Sequence, residues 1–178
     1  AAALLLTGSA FAADLLPADR PIEEAVDHYV EALLKKDNVP AASISDEPGF
    51  LRRITLDLAG RTPTFTEAQA FVASSEPDKR VKLVDRLLAA PDFPLHQRNE
   101  FDTLLMGSKQ NNEWRDYLLK SIQANKPWDT LFREMLLGRE ENADERPALT
   151  FLRERANDLD DVTNDTSKLF FGVSINCA

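Results

Sequence analysis

The sequence predicts an all-α protein, a compact array of about eight short helices with no significant sheet. Apolar residues recur every three or four positions along most of the chain, as the buried face of an amphipathic helix requires. Residues that favour helix starts and helix ends separate these apolar runs. No stretch alternates between apolar and polar residues over the length of a strand. These three observations together favour helices over a sheet throughout the chain.

Two helices are predicted before residue 61. Pro21 is tolerated in a first helical turn, and the first helix runs from there to Lys36, before a polar linker at residues 37–46. Asp46 is placed to cap the second helix, which Gly60 ends. The apolar residues that mark the two faces are Ile22, Val26, Tyr29, Val30 and Leu33 in the first helix and Phe50, Leu51, Ile54 and Leu58 in the second.

Three more helices follow up to residue 106. Residues 64–67 (TFTE) and 75–78 (SEPD) have the spacing of a capping box and are expected to open the third and fourth helices. Pro91 and Pro94 bracket the start of the fifth. The third helix carries Phe71 and Val72, the fourth carries Val81, Val84, Leu87 and Leu88, and Phe101, Leu104 and Leu105 mark the buried side of the fifth.

The second half of the chain repeats this organisation. Asn111 or Asn112 is expected to cap a helix, and a strongly periodic helix follows Pro127 and stops at Gly138. An acidic loop at residues 139–146 precedes a short helix and a last longer one. The helix after Asn111 or Asn112 has the apolar face Trp114, Tyr117, Leu118 and Ile122, and the helix after Pro127 has Trp128, Leu131, Phe132, Met135 and Leu136. The short helix carries Leu149 and Leu152, and the last helix carries Leu159, Val162, Thr166, Leu169, Phe170 and Val173.

The first residues indicate export. Residues 1–12 (AAALLLTGSAFA) form an apolar run followed by small residues, with Ala10 and Ala12 at the A-x-A spacing of a signal-peptidase site. A short buried helix is the alternative, whereas a membrane span would need roughly 20 apolar residues. We therefore expect a partial signal peptide at 1–12, a mature N-terminal segment at 13–19 and one helical domain over 20–178. The expected location is the periplasm, the cell surface or the medium.

Charge and cysteine content restrict the partners. The net charge is −9 and no Lys/Arg-rich run is present, which argues against a nucleic-acid partner. Cys177 is the one cysteine of the 178 residues, so no disulfide can form within them. Either Cys177 is an inert core thiol or its partners lie beyond residue 178, in which case the sequence is a fragment.

Titratable residues give no enzyme signature by spacing alone. His28 and His96 are far apart and neither has a second His or Cys at ligand spacing, so we expect structural histidines and no metal site. Residues 158–165 are rich in aspartate but fail the EF-hand spacing, and a helix N-terminus explains them. The carboxylates that lie beside apolar helix residues are Asp57, Asp85, Asp102, Asp116 and Asp129.

Two interpretations of these carboxylates and of the aromatic residues stay open. A buried acid with a raised pKa would suit general acid or base catalysis. Ordinary ion pairs are the alternative, with candidate partners Arg52, Arg53, Arg86, Arg98 and Arg133. For the aromatic residues on helix faces, core packing is expected rather than a sugar-binding platform; they are Trp114, Tyr117, Trp128 and Phe132.

Three phrases, in order and at matching intervals, resemble one protein family. They are FLRRITLDLAGRTPTFTEAQAF at residues 50–71, LVDRLLAAP at residues 83–91, and a W-x-x-Y-L…N-x-P-W-D pattern formed by Trp114, Tyr117, Leu118, Asn125, Pro127, Trp128 and Asp129. The family is that of the second planctomycete cytochrome-type (PSCyt) domains, which are exported domains of unknown function. Many members have a tryptophan near Phe101 and an arginine after the aspartate that Asp102 matches, where this chain has Thr103.

The resemblance gives Cys177 a role. In the family, a segment similar to residues 169–178 continues into C-A-x-C-H, so Cys177 would be the first cysteine of a truncated C-x-x-C-H motif. In such a motif two thiols add to the haem vinyl groups and the histidine binds the iron. Only Cys177 matches here, which implies no cofactor in these 178 residues and a covalent haem c in the full-length protein. The expected partners are other domains of the same exported protein and a redox partner.

Three functions remain open from the sequence. The first is a haem-bearing redox module of an exported multidomain protein. The second is a structural or interaction scaffold of a cell-surface protein. The third is a hydrolase of surface polysaccharide that uses Asp57, Asp85 or Asp102 as acid or base. Whether the protein is an enzyme is left open.

Overall fold

The computed structural model describes residues 16–156 and 158–175. The predicted signal peptide, residues 13–15 of the predicted mature segment, and Cys177 lie outside the described residues. Within them the chain forms nine α-helices and one 3₁₀ turn and no strand, which confirms the all-α prediction. The helices are α1 (Ile22–Lys36), α2 (Glu47–Ala59), α3 (Phe65–Ala73), α4 (Lys79–Leu88), α5 (Asp92–Met106), α6 (Asn112–Gln123), α7 (Trp128–Leu137), α8 (Thr150–Arg153) and α9 (Leu159–Phe171), with the 3₁₀ turn at Arg146–Leu149 before α8.

The chain divides into two units, at residues 1–45 and 46–178. In the first unit, α1 has the predicted bounds but no buried residue, and Ile22 and Leu33 on its apolar face are 77% and 59% exposed. The Tyr29 hydroxyl accepts a hydrogen bond from the Leu16 amide at 3.1 Å. No described helix has the length and apolar character needed to cross a membrane.

The second unit contains two apolar clusters, and α5 contacts helices of both. The first cluster joins α2, α3 and α4 through Leu51, Ala59, Phe71, Leu83 and Leu87. The second joins α5, α6, α7 and the 3₁₀ turn with α8, through Leu105, Met106, Trp114, Tyr117, Leu118, Leu131, Met135, Ala148 and Phe151. Because α5 packs on α2 and α4 and also on α6, it links the two clusters.

The caps predicted at Asp46, Thr64 and Asn111 are present. The Asp46 carboxylate accepts from the Gly49 amide at 2.9 Å, and the Asn111 side chain accepts from the Trp114 amide at 3.0 Å. Thr64 and Glu67 form the predicted reciprocal capping box at the start of α3.

Glu67 also belongs to a charged cluster between α3 and α5. Arg61 donates two hydrogen bonds of 2.9 Å to the two Glu67 oxygens and one of 3.3 Å to Asp92. The Arg61 guanidinium and the Thr64 amide together lower the pKa of Glu67 to about 2. This cluster ties the start of α5 to the start of α3.

Three details of the prediction are wrong. The fourth helix begins at Lys79 rather than after a cap at Ser75, because Glu76 precedes Pro77 and a residue before proline is disfavoured in the helical region. Leu104, expected on the buried side of α5, is 56% exposed, whereas Leu105 and Met106 are buried. Trp128 is 45% exposed, stacked on Phe101 at the edge of the second cluster rather than in its centre.

Candidate functional site

The end of α9 reverses the chain toward Cys177. Gly172 adopts the left-handed conformation, with φ 68°, and its amide donates to the Lys168 carbonyl at 3.1 Å. The Val173 amide donates to the Ser167 carbonyl at 3.3 Å. Glycine adopts this φ without the strain that a Cβ would cause, so α9 stops here and the chain turns back. Residues 172–175 are called the returning segment.

Asn164 holds the returning segment against α9. This asparagine is 6% exposed, and its Oδ1 accepts hydrogen bonds from the Ile175 amide and from the Ser174 hydroxyl, both at 3.3 Å. A buried side-chain amide needs hydrogen-bond partners, and those of Asn164 are Ser174 and Ile175, which lie ten and eleven positions further along the chain. Cys177, the predicted haem anchor, comes two residues after Ile175 and lies outside the described residues.

Arg155 fixes α9 to the second cluster. Its side chain is 11% exposed, its Nε lies 3.1 Å from Asp165 Oδ2, and its Nη1 donates to the Phe151 carbonyl at 3.0 Å. Its Nη2 donates to the Leu105 carbonyl at the end of α5. The guanidinium carbon also lies 4.1 Å from the centre of the Phe151 ring. One arginine therefore connects α5, α8 and α9 beside Asn164.

The predicted acid and base residues do not converge on one site. Asp57, Asp85, Asp116 and Asp129 are exposed. Asp57 lines an open groove of about 590 Å³ together with His96, Gln97, Glu100 and neighbouring apolar residues, but neither Asp85 nor Asp102 lines it. The groove therefore brings Asp57 together with Glu100 and not with either of the other two acids named for the hydrolase interpretation.

Asp102 is the most buried of the five predicted acids, and it faces an arginine. Its side chain is 14% exposed, and Oδ2 lies 3.1 Å from Arg115 Nε on α6. The Arg115 Nη2 donates to Asn99 Oδ1 at 3.1 Å. Asp102 therefore forms an ion pair, as the second interpretation of the carboxylates expected. Its partner is Arg115, which was not among the arginines that the sequence suggested. Asp102 thus ties α5 to α6.

A second polar cluster, which the sequence did not reveal, surrounds Tyr117. The buried Tyr117 hydroxyl donates to Glu134 Oε2 at 2.6 Å, and Lys126 donates to the same oxygen at 2.6 Å. Burial, and then the hydrogen bond to Glu134, raise the pKa of the Tyr117 phenol above its ordinary value, so the phenol stays protonated and serves as a donor. The residues are 8 to 17 positions apart on α6, α7 and the turn between them, so no local pattern could have identified the cluster.

The histidines and the aspartate-rich run have structural surroundings. His28 packs edge-on against Tyr29, at 5.3 Å between ring centres. His96 lies 3.9 Å from Glu100 and packs directly against Gly60. In the aspartate-rich run, the Asp158 carboxylate accepts from the Asp160 amide at 2.8 Å, as expected for the start of α9.

The donor set for a covalent haem is incomplete in these residues. A c-type haem needs two thiols and an axial histidine, and the 178 residues hold one cysteine and two histidines. Among the described residues no group of three or more His, Cys, Asp or Glu side chains could hold a metal ion. Of the donors that a c-type haem needs, these residues contain a single thiol, that of Cys177, and no step of haem chemistry can be derived from this structure.

The fold defines an all-α domain, built in its described residues from short helices without a strand. The chain belongs to the PSCyt2 family, described as a protein of unknown function (DUF1549), whose profile matches residues 25–178. This match confirms the resemblance seen in the three sequence phrases. No curated protein and no solved structure matches the chain.

Proposed function

We propose that residues 46–175 form a helical scaffold in an exported multidomain protein, and that this scaffold presents Cys177 as one covalent anchor of a c-type haem. The observation that carries the proposal is the returning segment, because the chain just before Cys177 is folded against α9 and held by Asn164. The family match, which continues through residue 178, supports the same assignment.

In this proposal, Cys177 would be one of the residues that hold the haem, and the proposal requires a second thiol and an axial histidine from outside these 178 residues. When bound, the haem would supply one-electron redox chemistry. The described residues contribute a fixed turn and a packed support for the attachment segment.

The haem proposal requires export, because c-type haem is attached outside the cytoplasm. We propose that residues 1–12 are the end of a signal peptide and that the mature protein begins near Ala13. N-terminal sequencing of the protein recovered from its native location tests this. A start near Ala13 is expected, and a mature protein that retains residues 1–12 would contradict it.

The test of the haem proposal is a spectrum of the gene-length protein made in a host that attaches haem c. The protein is denatured, reduced and mixed with pyridine, so that only a covalently attached haem remains with the chain. We expect a haem c spectrum that weakens when Cys177 is changed to alanine. A folded helical protein without covalent haem would refute the proposal.

A scaffold without a cofactor is the second candidate. The observation that favours it is that the charged clusters of the described residues are used for holding helices together, as Arg61 does for Glu67 and Asp92 and as Lys126 does for Glu134. In that case we expect Trp128→Ala to lower the free energy of unfolding and to change no ligand binding. If Trp128→Ala instead abolished binding to another domain and left the free energy of unfolding unchanged, Trp128 would belong to an interaction surface.

A further inference from the structure

Two grooves of opposite charge open on either side of Leu104. The groove of about 590 Å³ that Asp57 and Glu100 line is called the acidic groove. A second groove, of about 410 Å³, is called the basic groove. Its charged lining residues are Lys109, Arg155, Asp165 and Lys168. Leu104 lines both grooves and is 56% exposed, so an apolar side chain stands between an acidic and a basic surface.

The two grooves extend from Leu104 in opposite directions along α5. The acidic groove extends toward the start of the helix and includes Glu100, which precedes Leu104 by four residues, or about 6 Å along the helix axis. The basic groove extends past the end of the helix to Lys109. The charges of this face therefore form a dipole along α5, with Leu104 between its two ends.

Each groove keeps an exposed charge that the described part of the chain does not pair. The ion pairs formed in the basic groove are Lys109–Glu154 and Arg155–Asp165. Lys168, in contrast, is exposed and has no ion-pair partner among the described residues. In the acidic groove Asp57 is exposed and likewise unpaired within them, and the Glu100 side chain is 67% exposed. Both ends are therefore available for ion pairs with a second molecule.

We propose that this face is the interface of a homodimer, in which a two-fold axis passes beside Leu104 and perpendicular to α5. Such an axis reverses the direction of α5, so the acidic groove of each copy meets the basic groove of the other. Glu100 then faces the partner's Lys168, and the two Leu104 side chains meet at the axis. A second copy complements both grooves at once, whereas a partner of one charge sign would complement only one of them.

The size of the face sets the expected strength of the dimer. Seven residues line the acidic groove and nine line the basic groove, with Leu104 in both. A standard stable interface takes about 20–30 residues from each side, so this one is small. The net charge of −9 on each chain also opposes association. We therefore expect a weak dimer, with a dissociation constant on the order of 10 μM.

Sedimentation equilibrium of the 178-residue chain, from about 1 to 200 μM, measures this constant. We expect Leu104→Lys to weaken the dimer at least about tenfold, because it places two like charges at the axis. Leu95→Lys is the matched control and should change the constant less than about twofold, because Leu95 is also on α5, is 42% exposed and lines neither groove. A parent chain that stays monomeric throughout this range would overturn the proposal.

Two charge reversals test the pairing of the grooves. Glu100→Lys and Lys168→Glu should each weaken the dimer severalfold, because each places like charges opposite one another at both ends. An equimolar mixture of the two variants should dimerise like the parent, since both cross-subunit pairs then have opposite charges. This recovery requires folded chains, so it separates the interface from folding. No recovery in the mixture, or a dimer that persists in Leu104→Lys, would refute this interface.

Discussion

Removal of the Arg155 side chain tests whether α9 is anchored as the structure indicates. In the Arg155→Ala variant, the carbonyls of Leu105 and Phe151 lose a charged donor, which we estimate at about 1.5 kcal/mol each. The pair with Asp165, whose side chain is 44% exposed, adds about 0.5 kcal/mol at most. The contact of the guanidinium with the Phe151 ring adds about 0.5 kcal/mol. The expected loss in the free energy of unfolding is therefore about 4 kcal/mol.

Urea unfolding, followed by the fluorescence of the buried Trp114 and by helical circular dichroism, measures this loss. Arg155→Lys keeps the charge but not the forked donors, so it should recover about half of the stability. Arg153→Ala, two positions earlier at the end of α8, is the matched control, because that side chain is 44% exposed and its pair with Glu140 should contribute below about 1 kcal/mol. A loss below about 1 kcal/mol for Arg155→Ala would refute the anchoring argument.

Three further predictions concern the second unit. The pKa of Glu67 is lowered to about 2 in the folded state, so the stability that the pair with Arg61 contributes is present above about pH 4.5 and is lost as the pH falls toward 2. Glu67→Gln should lower the free energy of unfolding by about 1 kcal/mol at pH 7 and by little at pH 2. Urea unfolding at both pH values measures this difference, and an equal loss at the two would contradict the pairing. Gly60→Ala should lower stability by about 2 kcal/mol, because Gly60 has φ 67° and a Cβ there would lie 2.5 Å from His96 Nδ1. Thermal melts measure this loss, and an unchanged melting temperature would show that the backbone relaxes freely. Asp57→Asn should change stability by less than about 0.5 kcal/mol, because Asp57 is exposed, and loss of a measured polysaccharide turnover in this variant would revive the hydrolase interpretation.

Local signals explain what the sequence predicted correctly about helix starts. A capping side chain acts on amides two or three residues away, so Asp46, Thr64 and Asn111 identify their helices without knowledge of the fold. The failure at Ser75 has an equally local cause, because the effect of Pro77 on the preceding residue outweighs the spacing of a capping box. Helix existence was thus predictable, and the exact start depended on which local rule was stronger.

Burial was less predictable, because periodicity identifies a face but not its neighbour. Leu104 continues the apolar face of α5 in sequence and is nevertheless exposed, since the adjacent Leu105 and Met106 face the second cluster. The partner of Asp102 is Arg115, one helix later, and only the packing of α5 on α6 brings the two side chains together. Such pairings follow from tertiary structure and no spacing rule contains them.

The same limit applies to the candidate site. Asn164 lies within a run of aspartates that indicates a helix start, and nothing in that run marks its amide as a buried acceptor. Its role arises only because Gly172 reverses the chain and returns Ser174 and Ile175 to the face of α9 that Asn164 occupies. The contacts of Asn164 with these two residues therefore follow from tertiary structure, as the pairing of Asp102 with Arg115 does, and a sequence pattern of charges and caps does not contain them.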